Sequence, residues 1–262
     1  MTTVGDILQY INTIAPPALK ESWDKAGMNV GHLNAPVTKI LVALDPSTES
    51  CREAKAFGAE LLVTHHTLLW DTGFITDETA VGANALYLIE NGIAHINAHT
   101  SLDLANGGVN DALAAALGLE NVQILNPAGT DPGGKPYGLL RAGTVPEQNL
   151  EDFLAHVKRS LGCDGLRYVN PGGTVHRVAV CGGSGSDELA AVIRAGCDTF
   201  ITGDVKYNGF RDAFDAGLNL IDAGHFYTEN PICAALADKL RANFPDIQVK
   251  ISENHHDPMK FF

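Results

Sequence analysis

The chain has 262 residues, of which 45% are hydrophobic, and a formal net charge of -13 at pH 7. This length allows one large domain or two small ones with a sizeable core. The acidic balance argues against nonspecific nucleic-acid binding, because neutralising phosphates requires clusters of Lys and Arg, and the sequence contains none. We therefore expect a globular protein, and a specific nucleic-acid partner is disfavoured rather than excluded.

The amino terminus and the cysteines indicate the compartment. Residues 1–6 contain neither the basic nor the apolar segment of a signal peptide, and no apolar run reaches the length of a membrane span. We therefore expect a cytoplasmic protein without membrane contact. The cysteines are odd in number, widely spaced and without a Cys-x-x-Cys pair, which predicts buried thiols rather than disulfides. They are Cys51, Cys163, Cys181, Cys197 and Cys233.

Apolar strand-like runs alternate with amphipathic helical stretches along the chain. This pattern predicts an α/β fold with mainly parallel strands. The first predicted helix, at 4–14, has its isoleucines on one face and ends before a pair of prolines. The other elements of the first half are helices at 48–57, 84–90 and 109–117 and strands at 39–44, 60–64 and 93–98.

The second half repeats this arrangement after a Pro- and Gly-rich connection at 126–136. The sequence therefore predicts two pseudo-repeated α/β lobes, residues 1–125 and 126–262, related by a degenerate internal duplication. Chance similarity between two strand-helix-strand units is the alternative. The elements expected here are strands at 139–144, 175–181, 199–202, 218–221 and 247–251, and helices at 150–161, 187–195, 209–216 and 232–243.

Histidines stand at the carboxyl ends of three predicted strands, where ligands gather in open parallel sheets. Two of them are followed four residues later by an acid. Imidazole and carboxylate together suit first-row transition metals, whereas calcium and magnesium sites are built from oxygens alone. The sequence thus predicts a metal site in a cleft between the lobes. The candidate residues are the adjacent pair His65 and His66, His99 with Asp103, and His225 with Glu229.

At these residues the chain resembles the GTP cyclohydrolase 1 type 2-like family, also called the Ngg-interacting-factor-three-like family. The similarity extends over nearly the whole chain, without the long insertion between lobes that some members carry. It implies a two-lobed α/β fold, assembled into a toroidal homohexamer, with two metal ions in the interlobe cleft of each subunit. The matching segments are WDKAGM (23–28), THH (64–66), HTSLD (99–103), GGVND (107–111), GGSGS (182–186), ITGD (201–204) and GHFYTE (224–229).

The resemblance also implies which residues bind the metals. The ions would be two divalent transition metals, with Zn, Fe, Mn and Ni all compatible. Glu229 is the best candidate for a bridge between them. The chain departs from many relatives at 205–208, where they carry histidine. The family's ligand pattern falls on His65, His66, Asp103, His225 and Glu229.

Other residues near these segments have two interpretations each. His99 suits a catalytic general acid or a group that orients a ligand, and a hydrogen-bonded structural histidine is an equal alternative. The Gly-rich loop 182–186 could bind a phosphate through its backbone N–H groups, or form a tight turn with Ser186 as helix cap. Trp23 and Asp24 are expected to anchor the loop between the first helix and the first strand, with the indole buried.

The leading functional hypothesis is a metal-dependent hydrolase acting on a small-molecule substrate. The family name points to a nucleotide, GTP, with hydrolytic opening of the imidazole ring and loss of formate. Lys206, Arg211 and the Gly-rich loop are then the candidates for its triphosphate. The alternatives are a non-catalytic metal-binding or metal-delivery protein and a ring-shaped scaffold for partner proteins. Open coordination distinguishes a catalytic site from a closed structural one.

Overall fold

The computed structural model describes residues 1–70, 73–131 and 133–262. Two short 3-10 helices lie at Pro17–Leu19 and Ser186–Glu188. The α-helices are α1 (Val4–Ile14), α2 (Thr48–Phe57), α3 (Ala80–Glu90), α4 (Thr100–Leu104), α5 (Val109–Ala116), α6 (Leu150–Leu161), α7 (Leu189–Arg194), α8 (Tyr207–Asp215), α9 (His225–Glu229) and α10 (Pro231–Asn243).

Within the described part of the chain, the strands form two larger sheets and one short hairpin. They are β1 (Gly27–Val30), β2 (Lys39–Ala43), β3 (Leu61–Thr64), β4 (Ala94–Asn97), β5 (Glu120–Leu125), β6 (Gly129–Thr130), β7 (Pro136–Tyr137), β8 (Leu140–Gln148), β9 (Arg167–Val169), β10 (Val175–Val180), β11 (Thr199–Thr202), β12 (Asn219–Asp222) and β13 (Gln248–Ile251). Among the described residues, none of the helices is long and apolar enough to cross a membrane.

Capping residues fix the ends of the long helices. In α1, Thr3 and Asp6 form a reciprocal capping box, which satisfies two of the backbone N–H groups that a helix start leaves open. Ser47 caps α2 in the same sense, and Gly58 ends it in the left-handed conformation. The predicted bounds of α1, α2 and α6 are confirmed because these local signals are carried by the sequence itself.

The first sheet has the strand order β1-β4-β3-β2-β13. Strands β4, β3, β2 and β13 run parallel, and β1 pairs antiparallel with β4. Both faces of β2 and β3 are buried, as expected of a parallel sheet covered by helices. Leu41 and Leu62 pack in one core with Leu88 of α3 and Ile93. The carboxyl ends of β2, β3 and β4 therefore lie side by side.

The second sheet has the order β5-β8-β10-β11-β12-β9. Alternate residues of its strands pack into two different cores, with Val178, Ile201 and Ile221 in one, and Phe200 and Leu220 in the other. Because successive side chains of a strand point to opposite faces, both faces of the sheet carry apolar side chains. The sheet thereby fixes the positions of the loops that follow β10, β11 and β12.

The expectation of mainly parallel strands needs correction. The fold is mixed α/β, because β1, β5, β8 and β9 each pair antiparallel with a neighbour. Three of these strands, β1, β5 and β9, were not predicted. Most residues of β5 and β9 are exposed, so these edge strands lack the apolar run by which a buried strand is recognised in a sequence.

The chain forms two compact units. Unit 1 contains Met1–Leu102 and Ile232–His256, and unit 2 contains Asp103–Pro231 and Asp257–Phe262. The boundaries of these units differ from those of the predicted lobes, 1–125 and 126–262. The reason is that β13 pairs with β2, which brings residues 232–256 back to the first sheet. Nothing in the spacing of the elements indicates which sheet the last strand joins.

The cysteines are buried, as predicted. Burial raises the pKa of the Cys51 thiol to about 12. It also raises the pKa values of Cys163, Cys181 and Cys197. Because the thiolate is the reactive and metal-binding form, these side chains act as small apolar groups in the core.

Glu53 of α2 holds the end of β13 and the residues that follow it within unit 1. Its carboxylate accepts hydrogen bonds from Ser252 Oγ at 2.6 Å and from the backbone N–H groups of Glu253 and Asn254, and Lys250 Nζ lies 3.1 Å away. Burial opposes ionisation, but these donors outweigh it and hold the pKa of Glu53 at about 2, below the ordinary 4.5. The ionised form is therefore part of the folded structure.

We predict that Glu53→Gln lowers the free energy of unfolding by about 1–3 kcal/mol, the usual contribution of hydrogen bonds to a charged group. Since the folded pKa is depressed, this stabilisation is complete above pH 4.5 and is lost as the pH falls towards 2. Urea unfolding of wild type and variant across this pH range measures both effects. The exposed carboxylate variant Glu90→Gln is the control, and equal acid sensitivity of wild type and Glu53→Gln would contradict the prediction.

Candidate metal centre

Three histidines of unit 1 meet at the carboxyl ends of neighbouring strands. His65 and His66 directly follow β3, and His99 lies two residues beyond β4. One ring nitrogen of each lies within 4.8 Å of those of the other two. The ring centroids are 4.9 Å apart for His65 and His66, and 5.2 Å apart for His65 and His99. The sequence prediction that these histidines gather at one edge of the sheet is confirmed.

The Nδ1 atom of each of these histidines faces an oxygen acceptor. His65 Nδ1 lies 2.9 Å from the carbonyl oxygen of Ala98, and His66 Nδ1 lies 2.7 Å from Asp45 Oδ1. His99 Nδ1 lies 3.1 Å from Asp24 Oδ1. Carbonyl and carboxylate oxygens only accept, so Nδ1 carries the proton in each ring. The Nε2 atoms therefore keep the lone pair with which histidine binds metals.

Asp24 holds His99 from inside the protein. Its buried carboxylate also accepts hydrogen bonds from the backbone N–H of Thr100 at 3.0 Å and from Thr100 Oγ1 at 2.5 Å. Burial would raise the pKa of Asp24, but the hydrogen bonds from His99 and Thr100 lower it to about 2. Asp24 is thus a permanent negative charge at the protonated side of the His99 ring.

Another buried histidine, His95, supports the backbone of His66 by way of Thr64. Thr64 Oγ1 donates to the carbonyl oxygen of His66 at 2.5 Å, and His95 Nε2 lies 2.8 Å from the same hydroxyl. Burial lowers the pKa of His95 to about 3, so its ring is neutral. The neutral ring can donate from Nε2 to Thr64, which fixes the hydroxyl that holds His66.

In unit 2, His225 and Glu229 occupy successive turns of α9. His225 Nε2 lies 3.1 Å from Glu229 Oε2, and His225 Nδ1 lies 2.7 Å from Asp204 Oδ2. Asp204 has a left-handed backbone with φ of 53°, which is unusual for a residue other than glycine. Such strain persists where the surrounding structure requires it, and here it aims the carboxylate at His225.

Gly183 leaves the space that the Glu229 carboxylate occupies. A Cβ atom on Gly183 would lie 3.1 Å from His225 Nε2 and would overlap Glu229 Oε1. Its φ of 64° also lies in the region that favours glycine. The Gly-rich loop therefore lets two metal-binding side chain types approach the backbone closely.

The same loop has little capacity to bind phosphate. The backbone N–H of Gly182 donates to Asn110 Oδ1, that of Gly183 to Thr228 Oγ1, and that of Gly185 to Thr202 Oγ1. Ser186 begins the 3-10 helix rather than capping it, and the N-cap residue is Gly185. The backbone hydrogen bonds thus support the interpretation as a tight turn, but the prediction that Ser186 caps the helix is wrong.

Asp103 lies on α4 and is buried in unit 2. Asn110 Nδ2 donates to its backbone carbonyl at 3.1 Å, and Asn110 Oδ1 binds the Gly-rich loop. The turn after α4 is held by the buried guanidinium of Arg141, which donates to both carboxylate oxygens of Asp111 and to the carbonyl of Ala105. Such fork-to-fork pairing fixes geometry as well as charge.

The donor set fits a first-row transition metal. Each unit offers imidazole Nε2 atoms with the opposite ring nitrogen already bonded, and unit 2 adds the carboxylates of Asp103 and Glu229. Nitrogen and oxygen donors together match zinc, iron, manganese or nickel better than calcium or magnesium. The structure therefore contains His and acidic clusters that could hold metal ions.

The sequence analysis does not identify two groups that contact these histidines. Asp45 and Asp204 were not singled out, and each stands two residues past a buried strand, which is the one signal the sequence carried. Trp23 was expected to be buried, but it is 57% exposed. The loop is anchored by Asp24, the other residue of the predicted pair, through His99 and Thr100. Arg211, a candidate for phosphate binding, pairs with Asp215 at 2.7 Å.

Comparison with known proteins gives one consistent result. Residues 2–258 match the family described as Duf34/NIF3 (NGG1p interacting factor 3). A Clostridium perfringens protein named GTP cyclohydrolase 1 type 2 homolog is 36% identical over 264 residues, covering 98% of this chain and 99% of the relative. A Streptomyces coelicolor protein of the same name is also 36% identical, covering 98% of this chain and 94% of the relative.

Solved structures agree with these sequence matches. A hypothetical protein of Staphylococcus aureus superimposes with a TM-score of 0.94 at 28% identity, covering 99% of both chains. A Bacillus cereus protein related to NIF3 superimposes with a TM-score of 0.93 at 26% identity, covering 100% of this chain and 99% of the other. The chain, with its strand-end histidines and mixed α/β fold, belongs to the Duf34/NIF3 family.

Proposed function

We propose that the protein is a dinuclear metal-dependent hydrolase of a small-molecule substrate. One observation carries the proposal: His65, His66 and His99 each have Nδ1 engaged by an oxygen acceptor, which makes Nε2 the nitrogen that carries the lone pair. Histidines that serve only as packing or surface residues do not need a common tautomer. Anchoring of this kind is the usual way in which proteins orient metal-binding imidazoles.

The proposed ligands of two divalent ions are five residues. Glu229 is the proposed bridge, since its carboxylate offers two oxygens and its approach is permitted by the absence of a side chain at Gly183. His99 is proposed to transfer protons and is not one of the proposed metal ligands. The ligands are His65, His66, Asp103, His225 and Glu229.

Held by these residues, two such ions would supply Lewis acidity and would lower the pKa of water towards neutral pH. The protein's own contribution to proton transfer is the pair of His99 and Asp24. The Nε2 atom of His99 can accept a proton from the reacting group, while Nδ1–H donates to Asp24 and the carboxylate stabilises the resulting imidazolium. Because His99 also lies within ligating range of His65 and His66, its role needs a direct test.

The proposed reaction is opening of a purine ring, with GTP as the leading substrate. Support comes from the name of the relatives, GTP cyclohydrolase 1 type 2 homolog. Formate is the product that distinguishes this reaction from phosphate release. The internal duplication, the toroidal hexamer and the cytoplasmic location stay predictions.

Reconstitution tests the hydrolase proposal. We predict that protein loaded with a divalent first-row metal carries about two ions per chain and releases formate from GTP. His65→Ala and Glu229→Ala should lower both the metal content and the formate yield, whereas exposed His256→Ala should change neither. Two bound ions without turnover on GTP, pterin precursors or phosphoesters would favour metal storage or delivery over hydrolysis.

The Asp204 carboxylate provides a prediction about metal affinity alone. Asp204→Gly suits the left-handed backbone, so any loss reports the carboxylate rather than strain. We expect roughly 10- to 100-fold weaker binding of metal, the usual effect of removing the group that orients a metal-binding histidine. Calorimetric titration with zinc measures it, with Asp215→Ala as the control. Unchanged affinity would show that Asp204 does not orient His225.

His99→Asn separates proton transfer from ligation. If His99 transfers a proton, the variant should keep both metals and its melting temperature but lose roughly two to four orders of magnitude in turnover. Loss of metal would identify His99 as a ligand. Near wild-type turnover per metallated chain would rule out its catalytic role.

A further inference from the structure

Both tryptophans of the chain lie together at the surface of unit 1. The sequence contains two, and Trp23 is 57% exposed while Trp70 is 44% exposed. Their ring centroids are 6.0 Å apart and their planes differ by 25°, so the two indoles are stacked. Tryptophan is usually one of the more buried residues, so a stacked exposed pair presents an unusually broad aromatic surface.

This tryptophan pair borders the histidines. The ring of His99 meets Trp70 edge-on, with centroids 5.1 Å apart and planes at 88°. Its centroid lies 5.9 Å from that of Trp23, with planes at 67°. His99 in turn lies within ligating range of His65 and His66. The aromatic surface and the polar donors are therefore continuous around one imidazole.

The pair is not needed to pack the interior. The core cluster around Leu41, Leu62 and Leu88 consists mainly of aliphatic side chains, and among the described residues neither indole belongs to it. Asp24 and Thr100 fix the loop that carries Trp23 through buried hydrogen bonds. The loop of Trp23 is thus held in place by other residues, and both indoles remain partly exposed to a flat partner.

We propose that Trp23 and Trp70 form a stacking surface for a planar heteroaromatic ring, such as a purine or a pterin, whose reacting atoms then face His99. This assignment rests on the proposed function, because it names the substrate class of the same centre. A stacked indole recognises the flat face of a ring and tolerates changes at its edge. It would therefore select the class of ring rather than one base.

Intrinsic fluorescence tests the assignment directly, since both fluorescent indoles of the protein belong to this pair. Metal-loaded protein is titrated with guanosine and, as the matched non-aromatic probe, with inorganic tripolyphosphate. Excitation at the red edge of the indole band avoids absorption by guanine. We expect saturable quenching by guanosine and none by tripolyphosphate. Absence of saturable quenching by guanosine, or equal quenching by both probes, would overturn the proposal.

Substitutions then separate stacking from bulk. Trp70→Leu and Trp23→Leu keep apolar volume but remove the broad ring, and calorimetry should show guanosine binding weakened roughly 5- to 100-fold, with metal content unchanged. Trp70→Phe should recover part of the affinity. Exposed Tyr168→Leu on β9 is the matched control and should bind as wild type.

The outcomes distinguish this proposal from the hydrolase proposal. Guanosine binding that depends on both tryptophans, without any formate release, supports the stacking surface and contradicts the hydrolase. Leucine variants that bind guanosine like wild type overturn the stacking surface, whatever the activity. If those variants instead change the sedimentation coefficient with unchanged guanosine binding, the pair covers a second copy of the chain and the proposal is overturned.

Discussion

The hydrogen bond at histidine Nδ1 is the constraint on which the rest of the centre depends. An unanchored imidazole can present either nitrogen and rotate about its bond to the backbone. Here an oxygen acceptor at Nδ1 fixes both the tautomer and the ring plane at His65, His66 and His99. Three of the acceptors, Ala98, Asp45 and Asp204, follow a different strand from the one that precedes the histidine, so strand pairing brings acceptor and imidazole together.

The two sheets supply this precision by different means. In unit 1 the parallel strands β2, β3 and β4 bring their carboxyl ends into register, and the buried Thr64 and His95 lock the backbone of His66. In unit 2, Gly183 has no side chain and so admits the Glu229 carboxylate, and Asp204, in a left-handed conformation, reaches His225. Rigid strands thus carry short, conformationally demanding loops.

Much of the fold could be predicted because it is encoded locally. Caps at Thr3 and Ser47 fix helix starts, and the apolar runs of β3 and β11 identify buried strands. The strand-end histidines followed from the same runs. Exposed edge strands and the five-residue helix α9 carry too little periodicity to be recognised. The anchors of the histidines depend on tertiary contacts between distant segments, which spacing alone cannot reveal.

The return of β13 to the first sheet sets an order on biosynthesis. Residues 103–231 of unit 2 are complete in the chain before the ribosome has made α10 and β13 of unit 1. Until β13 arrives, the apolar strand β2 is an open edge, with backbone groups available to pair with other chains. The nascent protein therefore passes through a stage in which the first sheet lacks its last strand. During that interval chaperone protection matters most.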